Sequence, residues 1–168
     1  MAADYDNEVL KTIVEIHRSL GANLELEKSC QILVSKFKAL IGCSACAIML
    51  IEGQKVGVIS EEGFRKRLGQ LEFTTKMPAI KYITTNKQSI VTGDDYNSPA
   101  RDCVPHGCAI NSLLCVPIFV NDEVKGIIHL DADKKNAFNK KDVDFIQLLA
   151  AELSAVIERS LLYKIVKV

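Results

Sequence analysis

Ser112-Leu113-Leu114-Cys115-Val116-Pro117-Ile118-Phe119-Val120, then Asn121-Asp122-Glu123, then Val124-Lys125-Gly126-Ile127-Ile128-His129-Leu130-Asp131-Ala132, is the stretch whose reading decides the fold. Two apolar runs flank a short polar turn, which is the pattern of a β-hairpin. Leu114, Val116 and Ile118 have opposite parity to Leu113, Cys115 and Phe119. The first run is therefore apolar on both faces, as expected of a strand deep in a sheet that is covered on both sides. Pro117 cannot donate to a ladder, so it predicts a bulge or a local edge at that point. Downstream, Asn139 is a good N-cap, and Asp142 follows at the spacing of a shortened capping box. Phe138 and Val143 are placed to form a hydrophobic staple, and Ile146, Leu149, Leu153 and Val156 step at helical spacing. This helix continues through Leu161, Leu162, Ile165 and Val166 to Val168. It outgrows the domain it starts from, and its far end is expected to pack on another subunit or on further chain.

Upstream, the apolar residues Val9, Leu10, Ile13, Val14, Ile16 and Leu20 predict a helix over Asn7–Leu20, ended by Gly21. Leu26, Cys30, Leu33, Phe37 and Leu40 predict a second helix over Leu26–Ile41, with Gly42 just past its end. The period then changes. Cys46–Ile51 and Lys55–Ser60 form a hairpin around Glu52-Gly53-Gln54. Leu71–Thr74 reads as a short strand, Pro78–Thr85 as a short helix with proline in its first turn, and Ser89–Val91 as another short strand. Gly93 to Asn111 is polar and holds Pro99, Pro105 and Gly107; it exceeds the roughly 12–15 residues above which loops in compact domains are usually functional or disordered.

The chain has 168 residues, 48% of them hydrophobic and 25% charged, which is globular composition and sets aside a disordered chain or a small disulfide scaffold. The 21 basic residues balance the 21 acidic ones, so no electrostatic footprint for nucleic acid or for an anionic membrane stands out. No apolar run approaches the roughly 20 residues needed to span a bilayer. The acidic start, Met1 to Asp6, lacks a signal region and points to a cytoplasmic chain whose six cysteines stay reduced.

The segment Ser112 to Ile118, followed by Gly126-Ile127-Ile128-His129-Leu130-Asp131, resembles the signature hairpin of GAF domains. Phe138-Asn139-Lys140-Lys141-Asp142-Val143 resembles that family's entry into its last helix. The resemblance covers about residues 20 to 160. It implies an α+β fold: a twisted antiparallel sheet with the terminal helices on one face. A short helix and long loop roof a pocket on the other. It also implies a regulatory domain of a bacterial-type signalling protein, binding a small effector and relaying the state through terminal helices of a homodimer. The expected organisation is an N-terminal helix over residues 1–22, a GAF-like domain over 23–160, and a helical continuation over 161–168 toward a covalently linked output module.

The long loop carries the candidate ligand-binding residues Asp94, Asp95, Tyr96, Arg101, Cys103, His106, Cys108 and Asn111, because polar groups beside an apolar sheet face suit a small-ligand site. The residues specify no cofactor. Cys103, His106 and Cys108 have ligand types suited to zinc or iron, but their spacing completes no known metal pattern. Cys43-x-x-Cys46 is expected to place its two thiols on opposite faces of a strand, where they would pack as reduced core residues. The alternative function is a thiol-redox or metal-sensing GAF protein, including a free methionine sulfoxide reductase-like enzyme. Cys108 resembles the loop cysteine of that branch, yet no cysteine lies between Cys46 and Cys103 where the branch has others. Redox exchange would then need Cys103 as the partner thiol. The phytochrome arrangement of adjacent Cys and His is absent. His129 reads as a satisfied structural histidine rather than a ligand or base, and His17 as solvated. No Walker loop, Rossmann fingerprint or nucleophile elbow is present, so no catalytic machinery is predicted.

Overall fold

The computed structural model describes residues 2–22, 26–65, 67–92 and 110–166. The elements are α1 (Ala2–Ala22), α2 (Leu26–Ile41), β1 (Ala45–Glu52), β2 (Lys55–Glu62), a 3-10 turn (Leu68–Gln70), β3 (Phe73–Thr74), α3 (Pro78–Asn86), β4 (Ile90–Thr92), β5 (Ser112–Val120), β6 (Glu123–Ala132) and α4 (Lys140–Val166). The strands form one six-stranded sheet in the order β3-β2-β1-β6-β5-β4. Every pair is antiparallel. The deciding hairpin thus lies inside the sheet, with β6 between β1 and β5.

Alternation along these strands sorts their side chains into two cores. Cys46, Ile48, Leu114, Val116, Ile118, Ile128 and Leu130 pack with Ile16, Leu33, Phe37, Ile146, Leu149 and Leu153 of α1, α2 and α4. Ala47, Met49, Leu113, Cys115 and Ile127 pack instead with Ala79, Ile80 and Ile83 of α3 and with Leu68. The two-faced apolar pattern of β5 is explained by this layering: helices cover both sides.

Local geometry follows local chemistry. The β5–β6 turn uses Asn121 and Asp122, both left-handed at φ 51° and 61°, which is the type I′ turn that suits the twist of a hairpin. A bulge on β6 at Lys125 shifts the register between Ile118 and Phe119. Pro117 sits beside that bulge, but its tolerance has a second cause. The Leu113 N–H donates outward to Thr92 Oγ1 on β4 at 3.0 Å, and alternation turns the Pro117 nitrogen the same way. β4 pairs only with Leu113 to Cys115, so no ladder bond is lost where proline has no N–H.

At the entry to α4, Asn139 Oδ1 accepts from the N–H groups of Lys141 and Asp142 at 2.8 and 3.2 Å. Asp142 Oδ2 accepts in return from the Asn139 N–H at 2.8 Å, completing the reciprocal cap. Ser112, fully buried at the start of β5, donates to the Lys134 carbonyl at 2.7 Å and accepts from the Ala137 N–H at 3.0 Å. One hydroxyl thereby fastens the hairpin to the segment leading into α4.

The helix over Asn7–Leu20 is longer than its apolar spacing implied, and Gly21 lies within its last turn. α2 keeps its predicted bounds, and Gly42 takes φ +70° just past its end. The expected opposite placement of Cys43 and Cys46 is corrected. Both belong to the helix-side core, and their thiols hydrogen-bond to each other. Cys43 precedes β1, and the bend at Ser44 places it outside the strand's alternation.

Candidate functional site

Among the described residues, the α3 face of the sheet is mostly apolar, and one line of cross-strand neighbours on it includes polar groups. Ile90, Cys115, His129, Ala47 and Glu61 stand opposite one another on β4, β5, β6, β1 and β2. Directly paired side chains share a face and lie close enough to interact. Ala47 is small, which leaves the His129 ring room on its β1 side. Glu61 turns to the 3-10 turn, where its Oε2 accepts from the Leu68 N–H at 2.6 Å. Asp131, two residues along β6, shares the face of His129.

Cys115, His129 and Asp131 form a continuous chain of contacts. Cys115 Sγ lies 3.4 Å from His129 Nδ1, and His129 Nε2 donates to Asp131 Oδ2 at 3.3 Å. The His129 side chain is 14% exposed and that of Asp131 is 7% exposed. The Phe64 ring lies beside the same imidazole, centroid to centroid 5.8 Å and tilted by 41°. Burial opposes charge on His129. The neighbouring Cys115 sulfur and the hydrogen-bonded Asp131 outweigh it and raise the imidazole to about 10. At neutral pH the ring therefore carries a proton on each nitrogen, with Nδ1–H directed at the sulfur.

The remaining described cysteines have a different setting. Burial pushes the Cys30 thiol up to about 12. The mutual hydrogen bond lowers Cys43 and raises Cys46, whose thiol also reaches the Val34 carbonyl at 3.3 Å. All of them lie in the helix-side core, away from the α3 face.

Of the candidate ligand-binding residues, Asp94, Asp95, Tyr96, Arg101, Cys103, His106 and Cys108 lie outside the described residues. Asn111 is described: its backbone N–H donates to the Ala132 carbonyl at 2.9 Å and its side-chain amide to the Asp133 carbonyl at 2.6 Å. It braces the beginning of β5 against the end of β6. Among the described residues, no group of three His, Cys, Asp or Glu side chains is arranged to hold a metal ion. His129 is satisfied on both nitrogens, as its position in the strand suggested, but its partners are a thiol and a carboxylate. The spacing that joins them was available in the sequence as His129-Leu130-Asp131, one residue apart on one face; Cys115 needed the register of the hairpin. His17 is 73% exposed and bonds Glu152 at 3.0 Å across the contact of α1 and α4.

The molecule is thus of the α+β class in which one antiparallel sheet carries terminal helices on one face and, on the other, a short helix over a line of polar groups. The family model described as the GAF domain matches residues 23–158, and the chain belongs to the GAF domain family. Solved structures of the same fold include the GAF domain from an Acinetobacter phosphoenolpyruvate-protein phosphotransferase. It is 20% identical, with 92% of this chain and 95% of that one covered and a TM-score of 0.80. The free methionine-R-sulfoxide reductase from Neisseria meningitidis, solved with its substrate, is 15% identical over 90% and 89% of the two chains, with a TM-score of 0.78. The GAF domain of a putative sensor histidine kinase from Pseudomonas syringae pv. tomato is 18% identical over 98% and 95%, with a TM-score of 0.73. At these identities the likeness concerns the fold. A search of curated proteins found no match to the chain. No described helix is long and apolar enough to cross a membrane.

Proposed function

We propose that the chain is a regulatory sensor module: a small effector is held on the α3 face of the sheet, and its binding state is relayed through α1 and α4 of a homodimer to an output module. The observation that carries this reading is the Cys115–His129–Asp131 line, a charged and hydrogen-bonding array set in an apolar sheet face. Small-molecule sites combine these ingredients, an apolar wall and a few convergent polar groups. Glu61 and the loop residues Asp94, Asp95, Tyr96, Arg101, Cys103, His106 and Cys108 are the proposed further contacts, since their segment links the end of β4 to the start of β5, the strand that carries Cys115. Similar folds in a sensor kinase and in a chemotaxis protein support the regulatory role.

The layering supports the relay. The strands that carry Cys115 and His129 on one face carry Leu114, Val116, Ile128 and Leu130 on the other, packed against the terminal helices. A ligand that favours one arrangement of the sheet shifts the helices by its differential affinity for the two states, and by no more. α1 leaves Leu10 and Val14 exposed, and α4 leaves Leu148 and Leu162 exposed. Leu148, Ala155 and Leu162 recur at heptad spacing, the pattern of a helix seam awaiting a second helix.

A native mass spectrum of the gently purified protein tests both parts. A dimer carrying an added small organic mass is expected. A bare monomer that gains no mass from a metabolite extract would overturn the reading.

A further inference from the structure

The pairing of Cys115 with His129 has a chemical consequence independent of any effector. A thiol beside an imidazole, with the imidazole held from behind by a carboxylate, is the arrangement that activates sulfur as a nucleophile. Cys115 is 4% exposed, so bulky electrophiles are shut out and only a molecule as small as a peroxide is a candidate reactant. The other described thiols pack on the opposite side of the sheet, so none of them stands ready to form a disulfide with Cys115.

We propose that Cys115 is a peroxide-reactive site, with His129 as the proton donor to the leaving oxygen. The thiolate sulfur attacks one oxygen of hydrogen peroxide and the O–O bond breaks. The departing hydroxide takes the Nδ1 proton of His129 and leaves as water. Cys115 becomes a sulfenic acid, oxidised by two electrons, and the peroxide is reduced by two. The imidazole is left neutral beside it, still bonded to Asp131 through Nε2. Reduction by a small thiol in excess would return the starting state in two exchange steps, first a mixed disulfide and water, then the free Cys115 thiol and the oxidised small thiol.

His129 is suited to this role by its position as well as by its protonation. Nδ1 is the nearest described polar side-chain atom bonded to the sulfur, at 3.4 Å, so the oxygen leaving the sulfur departs beside a donor. A protonated ring at this distance can supply the proton that the leaving group requires. Charge on the ring is sustained by its hydrogen bond to Asp131.

The test is timed peroxide treatment of the intact chain, stopped with catalase and followed at once by denaturation in excess dimedone, so that the label reaches every sulfenic acid, with peptide mass mapping at each cysteine. Cys115 is expected to acquire the sulfenic-acid adduct at least tenfold faster than Cys30. His129→Asn, which keeps a polar atom near the sulfur but cannot transfer the proton, is expected to slow the adduct at Cys115 at least tenfold and leave the rate at Cys30 unchanged. No adduct at Cys115, or a rate no greater than at Cys30, would overturn the proposal, and this comparison needs no variant. An unchanged rate in His129→Asn would remove the proton-donor role and with it the proposal as stated. The outcome is separate from the effector reading, since a chain that binds no effector would still show the reaction.

Discussion

At the scale of single residues, a few atoms decide whether the backbone can close. Gly63, at φ +87°, follows β2 where the chain passes the beginning of β1. A Cβ there would lie 2.2 Å from the Ser44 carbonyl oxygen, an atom that cannot move without shifting the strand. Gly63→Ala is expected to cost about 1–2 kcal/mol from the left-handed conformation alone, with the clash added to it. Urea denaturation would read this as a lowered midpoint. His129 sets a second expectation. Its ordinary value near 6.5 rises to about 10 in the fold, so folding favours the protonated form. That stabilisation is complete below about pH 6.5, the unfolded value, and is lost as pH rises through the folded value near 10. The groups facing the ring are Cys115 on β5, Asp131 on β6 and, farther along the line, Glu61 on β2. Unfolding midpoints measured from pH 6.5 to 10 should fall more steeply for the wild-type chain than for His129→Asn. Parallel curves would show that the ring is not charged in the fold.

At the scale of elements, α4 depends on its cap and on its buried stripe. Asn139→Ala removes a side-chain acceptor serving two N–H groups and is expected to cost about 1 kcal/mol. Leu153 is fully buried between α4 and the sheet. Leu153→Asp should abolish the cooperative unfolding transition, because it buries a carboxylate in that core. Those two effects were legible in the sequence, since the Asn139 and Asp142 spacing and the helical steps to Leu153 are local signals. The bounds of α2 and both faces of β5 were equally legible. What escaped is non-local. Cys115 and His129 are far apart in the chain and meet only through the pairing of β5 with β6. Cys43 joined Cys46 because a bend at Ser44 interrupted the strand rule that separates them. The loop residues were singled out by composition, and composition carries no register.

At the scale of the whole molecule, the sheet is a shared wall. Its helix side is a continuous core, while its α3 side combines a smaller core with the polar line. Substitutions on the outer faces of α1 and α4 should therefore separate assembly from folding. Leu148 is 45% exposed and Leu162 is 55% exposed. The pair of changes Leu148→Asp and Leu162→Asp is expected to convert a dimer to monomer in sedimentation experiments while leaving the unfolding midpoint of the domain nearly unchanged. A dimer that persists would place the seam elsewhere.

β4 is only three residues long, and among the described residues no strand pairs with β5 beyond Cys115 on that side. An open strand flank is a template on which a foreign strand can dock, and from there chains can polymerise. Pro117 sits on that flank with no hydrogen to offer, so an incoming strand meets a gap in the row of donors. The proline that looked like a defect within an apolar strand is thus a guard against self-association. Pro117→Val should leave the fold intact and raise the rate of thioflavin-positive aggregation under mild heating. Equal rates would show that the bulge on β6 already suffices to protect the edge.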